Sequence, residues 1–173
     1  AEELWESLSS KNASPEQLVT RARSLYQEAN RANAPADSST LAPAVQRLRR
    51  ALNLDSSNVA ALDLLGTIYD DSESYAQAAS VFQRALDLNP RAPERWQRAA
   101  SALLDAGRPQ RAAQVAEEGL LLFPGHAALT GSLAFAQLRL GQPETALSRF
   151  QKALDQFGQN ESTESARAAL HAG

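Results

Sequence analysis

Apolar and small residues along the chain recur at spacings of three and four, the spacing of one face of an α-helix. In the segment from Leu62 to Tyr69, for example, the largest apolar residues share one helical face. Such segments come in pairs of about a dozen residues each. The polar stretches "DSES", "AGRP" and "LGQP" separate the two members of a pair, and their composition is typical of turns. The pattern therefore predicts an all-α protein built from helix hairpins.

The hairpin pattern returns after 34 residues, most clearly at positions held by small residues. Helix backbones that approach to about 8 to 10 Å need Ala or Gly at the point of contact. Gly66 costs about 1 kcal/mol of helix propensity relative to Ala, so we expect close packing there to compensate. Three sets of equivalent positions carry the signal: Gly66, Ala100 and Ala134; Ala78, Ala112 and Ala146; and Ala85, Gly119 and Ala153.

A 34-residue hairpin with this pattern resembles the tetratricopeptide repeat. The resemblance implies a right-handed α-solenoid of antiparallel helix hairpins, with clear repeats at residues 58–91, 92–125 and 126–159. In the third repeat Thr130 and Gln137 stand where the family has large residues, so we expect looser packing there. The first clear repeat has the family pattern at Leu62, Leu65, Gly66, Tyr69, Ala78, Phe82, Ala85 and Pro90, and the second keeps Trp96, Gly107 and Pro124.

Residues 14–57 are interpreted as a degenerate hairpin of the same kind with a long connecting loop. Ser14 is the expected N-cap of its first helix, with Pro15 at the first helical position and Gln17 closing a capping box. Ala44 and Leu48 mark its second helix.

The two ends of the chain are predicted to be short helical elements. In residues 1–13, Leu4, Trp5 and Leu8 form an apolar stripe. That stripe is interpreted as a cap over the first repeat, with a docking or self-association patch as the alternative. Residues 160–173 are interpreted as a capping helix, because a terminal element needs one polar face.

In proteins that the repeats resemble, the first helices of successive hairpins line a concave binding groove. Helical spacing places a stripe of residues away from the packed face of each first helix. The stripe is acidic towards one end and apolar towards the other, which favours a protein or peptide partner with basic and apolar residues. Its members are Asp63, Thr67, Asp70 and Asp71 in the first clear repeat, Glu94, Gln97, Ser101, Leu104 and Asp105 in the second, and Phe135, Leu138 and Arg139 in the third.

Two alternatives apply to these groove residues. The acids are also compatible with an ordinary solvated helix face, and Phe135 and Leu138 with burial under the terminal helix. One known groove ligand is disfavoured: relatives that grip a C-terminal carboxylate use Lys, Asn and Arg, whereas the comparable positions here include Asp63 and Glu94.

Composition narrows the function further. A net charge of -3 and a pI near 5.4 argue against nucleic-acid binding. The chain has no cysteine, and its two histidines, His126 and His171, are far apart in sequence. No metal site, cofactor site or catalytic constellation is therefore expected. No apolar run approaches the roughly 18 residues of a membrane span.

The sequence thus favours a non-enzymatic adaptor or scaffold. The alternatives are a regulatory or substrate-recruiting segment of a larger enzyme and a self-associating scaffold, so a homo-oligomer is one expectation. The preference for Arg over Lys and the opening "AEEL" favour a bacterial, exported, periplasmic protein in envelope assembly or secretion, with a cytoplasmic location as the alternative.

Overall fold

A computed structural model of the chain describes residues 13–32 and 40–171, with side chains up to residue 158. These residues form helices and turns with no strand, which confirms the predicted all-α architecture of helix hairpins. The helices are α1 (Pro15–Arg31), α2 (Ala42–Leu54), α3 (Val59–Asp71), α4 (Tyr75–Leu88), α5 (Pro93–Asp105), α6 (Pro109–Leu122), α7 (Ala127–Arg139) and α8 (Pro143–His171). Odd-numbered helices are the first helices of hairpins, and even-numbered helices are the second.

The chain divides into two compact units, unit 1 (Ala1–Asn89) and unit 2 (Pro90–Gly173). Unit 1 contains the hairpins α1–α2 and α3–α4, and unit 2 contains α5–α6 and α7–α8. The apolar stripe of each first helix packs on its second helix, and in unit 1 the shared core includes Leu18, Leu48 and Ile68. The hairpin α1–α2 therefore shares a hydrophobic core with the next hairpin in unit 1.

The start of α1 has the capping box that its sequence predicts. The Ser14 hydroxyl accepts a hydrogen bond from the Gln17 amide nitrogen at 3.3 Å, and the Gln17 side chain accepts one from the Ser14 amide nitrogen at 3.1 Å. Because Pro15 has no amide hydrogen to satisfy, it fits the first helical position. The predicted short helix around Trp5 lies outside the described residues.

The turn inside each of the last three hairpins has the same backbone geometry. Glu73, Gly107 and Gly141 occupy equivalent positions and all adopt positive φ, at 56°, 70° and 76°. In each turn this residue donates its amide hydrogen three residues back, and the next residue donates five residues back, as in Ser74 to the Tyr69 carbonyl at 2.8 Å. These bonds satisfy carbonyls that the helix end leaves free.

The small positions are close contacts between helices. A Cβ atom on Gly66 in α3 would lie 2.5 Å from Cε1 of Phe82 in α4. In unit 2, a Cβ on Gly119 would lie 3.0 Å from Cβ of Trp96. The alanines at the remaining equivalent positions are buried. The periodicity of small residues was thus a correct guide to where helices approach most closely.

The third clear repeat differs from its sequence-based description at its end. A separate capping helix was expected from residue 160, but α8 continues without a break from Pro143 to His171. Gly158 stands where the two preceding repeats have Pro90 and Pro124. Glycine weakens a helix by about 1 kcal/mol, whereas proline costs about 3 kcal/mol and stops it.

Candidate interaction site

In unit 1, the four predicted groove residues lie on one side of α3. Asp63, Thr67 and Asp70 are half-buried and Asp71 is exposed. The Thr67 hydroxyl donates a hydrogen bond to the Asp63 carbonyl oxygen at 2.9 Å, so it is already used within the helix. The three carboxylates therefore dominate this surface, which we call the acidic face: Asp63, Asp70 and Asp71.

The acidic face also involves the neighbouring first helix. The hydroxyl of Tyr26 in α1 donates a hydrogen bond to Oδ2 of Asp71. Sequence reasoning did not identify Tyr26, because the register of the degenerate hairpin was ambiguous. The contact joins the first helices of two successive hairpins on the side predicted to face a ligand.

Each carboxylate of the acidic face already interacts with another group of the protein. Asp63 and Asp70 each have an interaction partner of their own, and Asp71 has Tyr26. An incoming lysine or arginine would meet acceptors that already have interaction partners. Exposed ion pairs contribute about 0 to 1 kcal/mol each, so this face favours selective attraction of basic segments over tight binding by charge alone.

In unit 2, the predicted groove residues of α5 include two carboxylates, one fewer than those of α3. Glu94 and Asp105 are exposed, and Gln97 and Ser101 are half-buried. Leu104, expected to offer an apolar anchor, is only 9% exposed. It lies four residues after the buried Ala100, and residues at this spacing share a helix side. The structure therefore places Leu104 in the core of unit 2.

The predicted apolar residues of α7 remain accessible. Phe135 is 55% exposed and Leu138 is 48% exposed, while Arg139 is exposed beside them. The Phe135 ring stands edge-on to the ring of Phe150 in α8, with centroids 4.8 Å apart and an interplanar angle of 77°. Phe135 thus contacts the second helix of its own hairpin but is not buried by it.

Sequence reasoning missed the exposed apolar residues of α8. Leu147, Leu154 and Phe157 are exposed, and their spacing from Phe150 puts them on one side of the helix. Their counterparts one repeat earlier, such as Leu120, are half-buried in unit 2. With Phe135 and Leu138, these three residues form what we call the apolar face of unit 2.

In the part of the chain that the structure describes, no group of three or more His, Cys, Asp or Glu side chains is placed to hold a metal ion. His126 is the N-cap of α7, where its Nδ1 accepts a hydrogen bond from the Leu129 amide at 3.4 Å. Among the same residues, no helix is long and apolar enough to cross a membrane.

Comparison with known proteins agrees with this architecture. The family model described as tetratricopeptide repeat matches residues 71–120 and 103–170, together more than half of the chain. The chain therefore belongs to the tetratricopeptide-repeat family. No curated protein matches it.

Solved structures of MamA share the fold. A crystal structure of MamA superposes with a TM-score of 0.73 at 18% identity, covering 91% of this chain and 87% of MamA. The form described as "MamA AMB-1 C2221" gives a TM-score of 0.57 at 27% identity, covering 65% of this chain and 66% of that one. This likeness supports the helical-repeat architecture.

Proposed function

We propose that the protein is a non-enzymatic interaction scaffold that binds a peptide or protein segment on the faces of its first helices. Tetratricopeptide-repeat proteins are protein-interaction modules, which supports a binding role for this chain. The observation that carries the proposal is the acidic face of α3, where three half-buried or exposed carboxylates lie next to one another on one side of the helix.

The chemistry of the acidic face favours a partner with lysine or arginine residues. Opposite charges raise association rates and suppress partners of the wrong charge. The Tyr26–Asp71 contact holds one carboxylate in place, so less side-chain freedom is lost when a cation binds. In unit 2, the apolar face would accept leucine-sized or aromatic side chains from a partner.

A triple variant tests the acidic face. The immobilised protein and its D63N/D70N/D71N variant are used to capture proteins from a lysate of the source cells, with quantification by mass spectrometry. The matched control is E117Q/E118Q/E144Q, which removes three charges from exposed positions of second helices. Selective loss of a partner from the first variant supports the proposal. Equal recovery by all three baits would eliminate the acidic face as a binding surface.

A second candidate function is self-association through the apolar face of unit 2. Contiguous exposed apolar residues commonly mark interaction surfaces. In the preceding hairpin, the residues equivalent to Leu138 and Leu154 are more buried. The apolar face of unit 2 therefore has apolar residues at positions where another hairpin could pack. Light scattering across protein concentrations tests it: L147E/L154E should lower the average mass if copies associate here. A monomeric wild type at every concentration would refute it.

The proposal includes a location in the bacterial periplasm or another exported compartment, with a role in envelope assembly or secretion. Its support is compositional: the basic residues are nearly all arginine and alanine is abundant. Fractionation of the source cells with antibody detection tests it, since recovery with cytoplasmic markers alone would overturn this part of the proposal.

A further inference from the structure

Unit 1 has two neighbouring cavities on the side of α3 opposite the acidic face. One has a volume of about 350 Å³ and the other about 310 Å³. Both are bounded by α2 and α4, with α3 as the floor, and both are lined by Arg49. We call this pair of cavities the outer furrow. Each is within the range of volumes, about 300 to 1,000 Å³, that is usual for ligand sites.

The outer furrow follows the length of the helices that bound it. On α2 its lining extends from Ala42 to Asn53, and on α4 it ends at Arg84. At about 1.5 Å per helical residue, this α2 segment is about 17 Å long. An extended peptide rises about 3.3 Å per residue, so about five residues match that length.

The furrow is positively charged in a protein that is negative overall. Arg49 and Arg84 are the only ionised side chains in the lining of either cavity, whereas the whole chain has a net charge of -3. The Arg49 Nη2 donates to the Tyr69 hydroxyl at 2.8 Å, and the Arg84 Nη2 donates to the Ser56 carbonyl oxygen. Both acceptors are neutral. Each guanidinium has further N–H donors from which a carboxylate can accept hydrogen bonds.

The remaining lining suits a peptide better than a small inorganic anion. Leu62 and Leu65 form an apolar floor in the larger cavity, with Leu52 beside them on α2, and an apolar side chain would contact all three. Amide side chains stand along the walls at Gln46, Asn53 and Gln77. Such groups can donate to and accept from the backbone of an extended segment.

We propose that the outer furrow is a second binding site, which takes an extended acidic peptide segment of about five residues. Carboxylates of the segment pair with Arg49 and Arg84, and alternate apolar side chains contact the leucine floor. This site has the opposite charge preference to the acidic face and lies on the other side of α3. The scaffold therefore holds two segments of different charge at once in unit 1.

The test uses a labelled peptide of defined sequence, acetyl-Leu-Glu-Leu-Glu-Leu-Glu-amide, titrated with the full chain in a fluorescence anisotropy experiment. R49Q/R84Q should weaken binding at least tenfold. The matched control is R47Q, which removes an arginine from the same helix that lines neither cavity and bonds to the Pro43 carbonyl. Binding by R47Q should stay within twofold of the wild type. Circular dichroism confirms that each variant is folded.

Two companion measurements separate this site from other kinds of binding. Replacing every glutamate of the peptide by glutamine should abolish binding to the wild-type protein. The protein variant D63N/D70N/D71N should bind the original peptide as tightly as the wild type does. A loss of affinity in R47Q equal to that in R49Q/R84Q would mean that the peptide is attracted to arginines in general, and it would overturn the proposed site. Failure of the wild type to bind the peptide would also overturn it. Inorganic phosphate that displaces the peptide completely at millimolar concentration would show a small-anion site instead. A failure here leaves the proposed role of the acidic face unaffected.

Discussion

Gly66 in α3 and Phe82 in α4 are in such close contact that any side chain on the glycine would overlap the phenyl ring. The nearest ring atom lies 2.5 Å from the position of a Cβ, and two more lie within 2.8 Å. Phe82 is itself 3% exposed, so the ring has little room to move. The glycine is therefore required by packing between the two helices of the hairpin.

Gly66→Ala should destabilise the protein although alanine is the better helix former. The helical gain is about 1 kcal/mol, and overpacking costs about 1 to 3 kcal/mol, so we expect a net loss of about 1 kcal/mol. Urea unfolding followed by circular dichroism measures it. The double variant G66A/F82L should recover part of the loss, because leucine removes ring atoms from the contact. A Gly66→Ala protein more stable than the wild type would contradict the account.

Glu73→Gly should stabilise the protein. Glu73 holds the left-handed conformation that glycine holds at the two equivalent turns, and a residue with a Cβ pays roughly 1 kcal/mol for it. The gain will be reduced by the greater freedom of glycine in the unfolded chain. The reverse change, Gly107→Glu, is the matched control and should lower the melting temperature. Calorimetry should therefore show a higher melting temperature for Glu73→Gly and a lower one for Gly107→Glu than for the wild type.

Tyr26→Phe and Asp71→Ala should show coupled effects on stability. The hydrogen bond between these side chains joins α1 to α3, and a bond of this kind contributes about 1 kcal/mol. In a double-mutant cycle the second substitution should therefore cost less once the first is made. Thr20→Val, which removes a hydroxyl from α1 that bonds only within that helix, serves as the control. Strict additivity of Tyr26 and Asp71 would show that the bond contributes nothing.

Asp55 should make part of the stability depend on acid pH. Hydrogen bonds from the Ser57 hydroxyl and amide lower the pKa of Asp55 below its ordinary value of 3.8. A group whose folded pKa is depressed stabilises the protein above the unfolded pKa and loses that contribution as pH falls through the folded pKa. Stability should therefore decline below about pH 4. Asp55→Asn should flatten the decline in urea unfolding measured between pH 6 and pH 2, and an unchanged profile would refute the assignment.

The sequence predicted the helical framework because its strongest signals are local or periodic. The capping box of Ser14 depends on three neighbouring residues, and the positions of Gly66 and Gly119 repeat with the hairpin. Backbone approach leaves no alternative to small residues at such points, so their spacing alone locates the contacts.

The candidate site was less predictable because it depends on pairings between helices. Tyr26 reaches Asp71 across 45 residues of chain, and no periodic signal relates the two. Leu104 belongs by spacing to the exposed stripe, yet it lies close enough to the packed side of α5 to be buried. Gly158 permits α8 to continue where proline would have ended it. A glycine alone does not determine whether a helix ends or continues, because that depends on the neighbouring residues.

The turns at Glu73, Gly107 and Gly141 share one backbone geometry, so we expect the loop of one hairpin to be able to replace the loop of another. Their shape is held by main-chain hydrogen bonds to the preceding helix, and its main sequence requirement is a residue that tolerates positive φ. We therefore expect a loop sequence moved from one hairpin to another to keep its backbone conformation. Recombination between repeats could therefore exchange whole hairpins at these points and leave each helix pair in register.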